Sequence, residues 1–301
     1  MPTSREPIWR TSPFPVHNRN CMSQNKSSIR RIGVFDSGFG GLTVLQALLR
    51  QLPSAEFLYL GDTARLPYGA KSRETVARYA VSSAQFLLSQ GAEYLVIACN
   101  TASALALEDI RAAVPVPVLG VVETGANAAQ AHSRTGGVMV VATAATVESH
   151  AYAAACAERN LRAIEKACPL LVPLVEEGWI DHPVTREVMR IYFSELLHQA
   201  RAAALDPDTL LLGCTHYPLL RSQIEAALPP SIRVIDSAEV TAAQVAAAVH
   251  IPAGTTAPPP RFFATDSPEK FRRLGSRFLG QPIEEVTLID LESSSPKLMP
   301  G

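Results

Sequence analysis

From Ile29 onward, short apolar runs alternate with longer stretches whose apolar residues recur at helical spacing. "IRRIGVFDSGFGG" precedes "LTVLQALLRQL", and "AEFLYLGDTAR" precedes "RETVARYAVSSAQFLLSQ". "EYLVIACN" leads into "TASALALEDIRAA", and "PVLGVVE" into "TGANAAQAHS". Continuous apolar runs of about 4 to 8 residues fit strands buried on both faces, and the periodic stretches between them fit crossover helices. The pattern predicts an α/β fold built on mostly parallel sheet.

After Ser133 the alternation starts again. A strand in "GGVMVVATAATVES" is followed by a helix through "HAYAAACAERN", a short apolar stretch "PLLVPLVEEG", and a long helix from Val184 to Ala204. "TLLLGCTHYPLL" and "IRVIDSAE" read as the last strands of this half. A helix over Val240 to Val249, a Pro/Thr-rich loop and a strand-helix tail, "RFFATDSPEKFRRLGSRFL", complete the chain. Two domains are expected, because single cores stop growing at roughly 250 to 300 residues. The expected division is 29–124 with 238–290 as the first α/β domain and 125–237 as the second. Residues 1–28, rich in Pro, Ser and Asn without periodicity, read as a flexible extension, and 291–301 as a flexible tail.

Composition narrows the partners. The chain has 301 residues, 27 basic and 28 acidic, with a formal net charge of -1, so no whole-chain field favours nucleic acid or anionic membrane. Five cysteines, none in a C-x-x-C pair, do not form a disulfide framework and suit a reducing compartment. No apolar h-region opens the chain, and no run reaches the roughly 20 apolar residues of a membrane span. The expectation is a soluble, unprocessed, cytoplasmic protein acting on a small uncharged or zwitterionic molecule.

Each half contains a strand that ends in a cysteine, Cys99 in "YLVIACNTASAL" and Cys214 in "TLLLGCTHYPLL". Ligands in parallel α/β sheets sit beyond the carboxyl ends of strands. A single buried cysteine is as often a small core hydrophobe, but two in matched contexts, each followed by a hydrogen-bonding side chain, point to chemistry. Cys21, Cys156 and Cys168 lack such neighbours and read as structural or incidental. Three uses of a thiol pair stay open on the residues alone. They are a disulfide, a metal site with His216 and Asp36, for which C-x-H lacks the usual C-x2-4-C spacing, and paired acid/base chemistry on the two faces of one carbon.

Other signals bear on that choice. The five lysines, Lys26, Lys71, Lys166, Lys270 and Lys297, do not follow strands as a Schiff-base lysine would, and "DSGFGG" is not a dinucleotide fingerprint, so no cofactor is implied. Asp36 after "IGVF" is either a helix cap or a charged partner for a substrate ammonium or a thiol. His216, two residues after Cys214, is either a satisfied structural group or a proton relay. "GDTARLPYG" reads as a turn with Asp62 as a cap, and Glu176 in "VPLVEEG" as an exposed carboxylate, unless the site recruits them.

The motifs "GVFDSGFGGLTVL", "YLGDTARLPYG", "IACNTASA", "GVVETGA", "VPLVEEG", "LLGCTHYPLL" and "VIDSA" together resemble the glutamate racemases, cofactor-independent enzymes that make D-glutamate for peptidoglycan. The resemblance runs from about Ile29 to about Gly280. It implies two pseudo-symmetric α/β domains with the active site in the cleft between them, and Cys99 and Cys214 as the opposed acid/base pair. Asp36, His216 and Glu176 are implied as auxiliary groups, with Glu177 leaving the register of Glu176 ambiguous. Asp36 with Ser37, the Pro67, Tyr68 and Gly69 turn, Asn100 with Thr101, and Thr215 with His216 are implied to hold L- or D-glutamate, with no metal and no cofactor. The arm before Ile29 resembles the extension of members activated by a UDP-muramyl-peptide precursor, and a homodimer is compatible with the family. Thr124 stands where many relatives have proline. The rivals are a racemase acting on aspartate or a hydantoin and, from another class, a thiol redox or metal-binding protein.

Overall fold

A computed structural model describes residues 29–251 and 257–291. The extension expected over 1–28, with Cys21, and residues 292–301 of the expected tail lie outside them. Leu291, the first residue of that tail, is buried against the helices that follow the second and third strands.

The first half runs β1 (Arg31–Asp36), α1 (Leu42–Gln51), β2 (Glu56–Gly61), α2 (Arg73–Ser89), β3 (Tyr94–Ile97), α3 (Asn100–Ala113), β4 (Val118–Gly120) and α4 (Val121–His132). The second continues with β5 (Gly137–Ala142), α5 (Ala144–Glu148), α6 (Ala151–Ala157), β6 (Arg162–Ala167), α7 (Leu171–Glu176), α8 (Pro183–Ala202), β7 (Pro207–Gly213), α9 (Arg221–Ala227) and β8 (Arg233–Asp236). The chain then forms α10 (Ser237–Ala248), β9 (Arg261–Ala264), α11 (Pro268–Leu279) and β10 (Thr287–Leu288).

Among the described residues the pairings of these strands are parallel and make two sheets, ordered β10-β9-β2-β1-β3-β4 and β6-β5-β7-β8. The segment β2-β1-β3-β4 of the first sheet has the same order as β6-β5-β7-β8 in the second, so β3 and β7 are equivalent strands. Strand order reverses beside β1 in one sheet and beside β5 in the other, which opens a crevice at the carboxyl ends of β1/β3 and of β5/β7. Cys99 follows β3 and Cys214 follows β7: the two thiols occupy matching switch points.

Apolar residues lie on both faces of the central strands, as the continuous runs require. One core takes Ile32 and Val34 from β1, Met139 and Val141 from β5 and Leu210 and Leu212 from β7. α1 packs against α10 and α11, and α10 against α4, so helices from both halves close over that core. Thr124 lies in this helical layer, where its hydroxyl meets Val121 O at 3.0 Å and Thr241 Oγ1 at 2.7 Å. α4 also packs on β7 and β8 and runs across the expected boundary at 124/125.

Two strands are additional to those expected. β6, "RAIEKA", carries three charged residues and is nowhere fully buried, because it is an edge strand with one solvated flank. β10 has two residues, too few for any period to show. "VVE" of "PVLGVVE" belongs to α4 rather than to the strand before it, and "PLLVPLVEEG" contains the short helix α7.

Candidate active site

Asp36 ends β1, and the chain turns through Ser37 to Gly41 before α1 begins. The carboxylate does not cap α1, whose N-cap is Gly41 with no side-chain bond. Oδ2 accepts instead from Gly38 N at 3.0 Å, and Oδ1 is buried without a hydrogen-bond partner. Burial raises the Asp36 pKa, outweighing the charge of His216 and the N–H groups of the turn, which lower it.

Cys99 is the N-cap of α3, and its sulfur accepts from Ala102 N at 3.5 Å. Its S–H donates to Ser37 Oγ at 3.4 Å. A helix N-terminus favours a thiolate. Here burial and the neighbouring Asp36 prevail and push the thiol up to about 12.

Across the site, Cys214 Sγ lies 4.0 Å from His216 Nδ1, and His216 Nε2 lies 3.2 Å from Glu176 Oε1. Burial alone would lower the imidazole, but its hydrogen bonds to Cys214 and Glu176, with their charges, raise it to about 10. Burial raises the Glu176 carboxyl, and the hydrogen bond and charge of His216, with Lys270 at 3.9 Å, bring it below its ordinary value. Glu177 is exposed, so of the two glutamates it is Glu176 that meets His216. One thiol therefore faces an aspartate and the other an imidazolium.

Glycine lets the two sheets meet here. A β-carbon on Gly40 would lie 2.1 Å from Thr215 Oγ1 and 2.7 Å from His216 Nδ1, and one on Gly69 would lie 2.6 Å from Thr143 Cβ. Thr101 Oγ1 is 3.0 Å from Thr143 Oγ1 and 3.2 Å from Thr146 Oγ1, and Tyr152 Oη donates to Asn100 Oδ1 at 2.6 Å. Cys99, Cys214, Asn100, Thr101, Thr215 and His216 are all less than 9% exposed.

The Leu66–Pro67 peptide is cis, Tyr68 is buried and Pro67 is exposed. Asp62, expected as a cap, is fully buried and accepts from Tyr68 Oη at 2.5 Å and from Thr265 Oγ1 at 2.8 Å, which holds the turn against β9. Every expected site residue except Pro67 is at least half-buried around the Asp36 to Gly41 turn and the facing ends of β5 and β7. Thr143, Thr146 and Tyr152 are additional. Thr143 had a usable signal, a polar residue directly after the apolar run of β5, the rule that selected the cysteines.

Among the described residues Cys99, Cys156, Cys168 and Cys214 are free thiols, and no group of three or more His, Cys, Asp or Glu side chains could hold a metal ion. No helix among them is long and apolar enough to cross a membrane.

The model of the Asp/Glu/Hydantoin racemase family matches residues 32–245. The glutamate racemase of Koribacter versatilis (strain Ellin345) is 52% identical over 285 residues, covering 86% of this chain and 97% of that one. The crystal structure of glutamate racemase isoform RacE1 from Bacillus anthracis superposes with a TM-score of 0.80 at 38% identity, covering 88% of this chain and 98% of that one. The Escherichia coli glutamate racemase, solved with L-glutamate and the activator UDP-MurNAc-Ala, gives a TM-score of 0.69 at 26% identity over 87% of this chain and 98% of that one. With a family model over most of the sheet-forming region and near-full-length relatives, the chain belongs to the Asp/Glu/Hydantoin racemase family.

Proposed function

We propose that this protein interconverts L- and D-glutamate without a cofactor, by proton transfer between opposed thiols. One thiolate takes the α-hydrogen as a proton and leaves its electron pair on the carbon. The opposite thiol gives its proton to the other face, so the stereocentre inverts and the two sulfurs exchange protonation states. The observation that carries this reading is the matched placement of Cys99 and Cys214 after equivalent strands, with opposite charge beside them. Burial, with Asp36 beside it, keeps Cys99 a thiol, ready to donate, while His216 presents positive charge beside the Cys214 sulfur.

In this reading Asp36 and Ser37, the Pro67, Tyr68 and Gly69 turn, Asn100, Thr101, Thr215 and His216 hold the substrate. The unpartnered Oδ1 of Asp36 suits its ammonium, and Glu176 steadies His216. Backbone and side-chain donors at the strand ends stabilise the charge that develops on the α-carboxylate. In this reading the protein works in the cytoplasm, a compartment that keeps thiols reduced, where D-glutamate feeds peptidoglycan synthesis. Activation by a UDP-muramyl-peptide precursor and assembly as a homodimer are part of the proposal; rate measurements with and without the precursor, and sedimentation, decide them.

The test is incubation of metal-free protein with L-glutamate in D2O, following optical rotation and α-deuteration together. Rotation decaying to zero as deuterium enters the α-carbon supports the two-thiol racemase. No change in either, even with the precursor present, sinks the glutamate assignment and turns attention to aspartate and hydantoins.

A further inference from the structure

Tyr152, on α6, is 1% exposed and joins the two strand ends that carry the thiols. Its hydroxyl donates to Oδ1 of Asn100, the residue after Cys99, at 2.6 Å. Its ring is seated on Gly213, the residue before Cys214, where a β-carbon would lie 3.0 Å from Cε2. On another side it meets Gly125 of α4, where a β-carbon would lie 3.2 Å from Cε1. Larger residues at 125 and 213 would crowd the ring out of this seat.

The bond fixes Oδ1 toward Tyr152, and Nδ2, on the other arm of the amide, is buried with no hydrogen-bond partner. A buried donor left open beside the Cys99 thiol calls for an acceptor from outside the protein, a water or, once the substrate is bound, one of its oxygens. Glutamate supplies carboxylate oxygens, which accept and cannot donate. If the amide turned by half a rotation it would point its own oxygen at that carboxylate.

We propose that Tyr152 is a positioning residue that locks the Asn100 amide with its N–H groups toward a substrate carboxylate and holds the Cys99 and Cys214 strand ends at a fixed separation. The inference rests on the reading of Asn100 as a substrate contact. Burial, with the charges of Cys156, Cys214 and Glu165, raises the phenol well above the ordinary tyrosine range, so it remains a donor throughout the working pH.

The experiment is a double-mutant cycle of Tyr152→Phe and Asn100→Ala, with steady-state kinetics in both directions and thermal melts. Tyr152→Phe keeps the ring on Gly213 and removes only the hydroxyl. The expected result is a KM for both enantiomers raised roughly tenfold, with a smaller fall in kcat and little change in melting temperature. The same substitution in the Asn100→Ala background should add no further rise. An unchanged KM in Tyr152→Phe, while Asn100→Ala raises it, overturns the lock and leaves Asn100 as a contact. Equal rises in both backgrounds overturn it by showing that the hydroxyl acts on packing. An unchanged KM in Asn100→Ala overturns the inference by another route, because it removes Asn100 from the substrate site.

Discussion

His216 Nε2 lies 3.2 Å from Oε1 of Glu176, with the other ring nitrogen of the same histidine turned to the sulfur of Cys214. The pair fixes the ring and holds its proton. Removing the carboxylate in Glu176→Gln leaves burial, which favours neutral imidazole, opposed by one partner fewer. The alkaline limb of kcat should therefore move to lower pH in Glu176→Gln, while Glu177→Gln, altering an exposed neighbour, should leave the profile in place. Full pH-rate curves for both variants decide this, and coincident curves would mean that Glu176 does not govern the proton on His216.

The same shift has a consequence for folding. His216 is raised from 6.5 to about 10 in the folded protein. Between those values the folded state keeps a proton that the unfolded chain releases, so this contribution to stability is complete below about pH 6.5 and lost as pH rises through about 10. Cys99, raised from 9.0 to about 12, adds a loss of the same sign at higher pH. Denaturant titrations across pH 6 to 10 should show wild type losing stability faster than His216→Gln. Parallel curves would show that the imidazolium is not retained on folding.

In the proposed mechanism each thiol serves one face of the substrate carbon, so neither can replace the other. Cys99→Ala and Cys214→Ala should each lower racemisation by at least a factor of roughly 10² to 10⁴, the usual contribution of a positioned acid or base, with folding retained. Optical rotation started from each enantiomer is the measurement. A single variant with full rate in both directions would remove the opposed-thiol mechanism.

The thiols were legible because they end long apolar runs, and the carboxyl ends of parallel strands are where ligands bind. Asp36 was legible at the end of its own apolar run, "IGVF", and His216 by adjacency to Cys214. β6 was not, since an edge strand with charged residues on its solvated flank carries no apolar run. Tyr152 was not either. Its partner Asn100 is 52 positions away and in the other half, so it reads as one more apolar helical position. The choice between Glu176 and Glu177 depends on where α7 ends, a rotation about the helix axis that two consecutive glutamates cannot reveal.

Gly40 offers the sharpest steric test of how the halves meet. A methyl there would lie 2.1 Å from the Thr215 hydroxyl and 2.7 Å from His216 Nδ1, contacts that real β-carbons do not make. Either the turn after β1 or the loop after β7 must withdraw, and both carry proposed catalytic groups. Overpacking of this kind costs about 1 to 3 kcal/mol where the structure can relax. Relaxation here would separate the thiols, so Gly40→Ala should reduce kcat/KM by more than its loss of melting temperature accounts for. Gly33→Ala is the matched control. Its methyl would lie 2.7 Å from Leu95 Cδ2, inside the first sheet's core and away from both thiols, so it should lower the melting temperature while leaving kcat/KM of the folded protein near wild type. If both variants lose activity only in proportion to stability, the approach of Gly40 to Thr215 is packing alone, and the distance between the two cysteines must be held by other contacts.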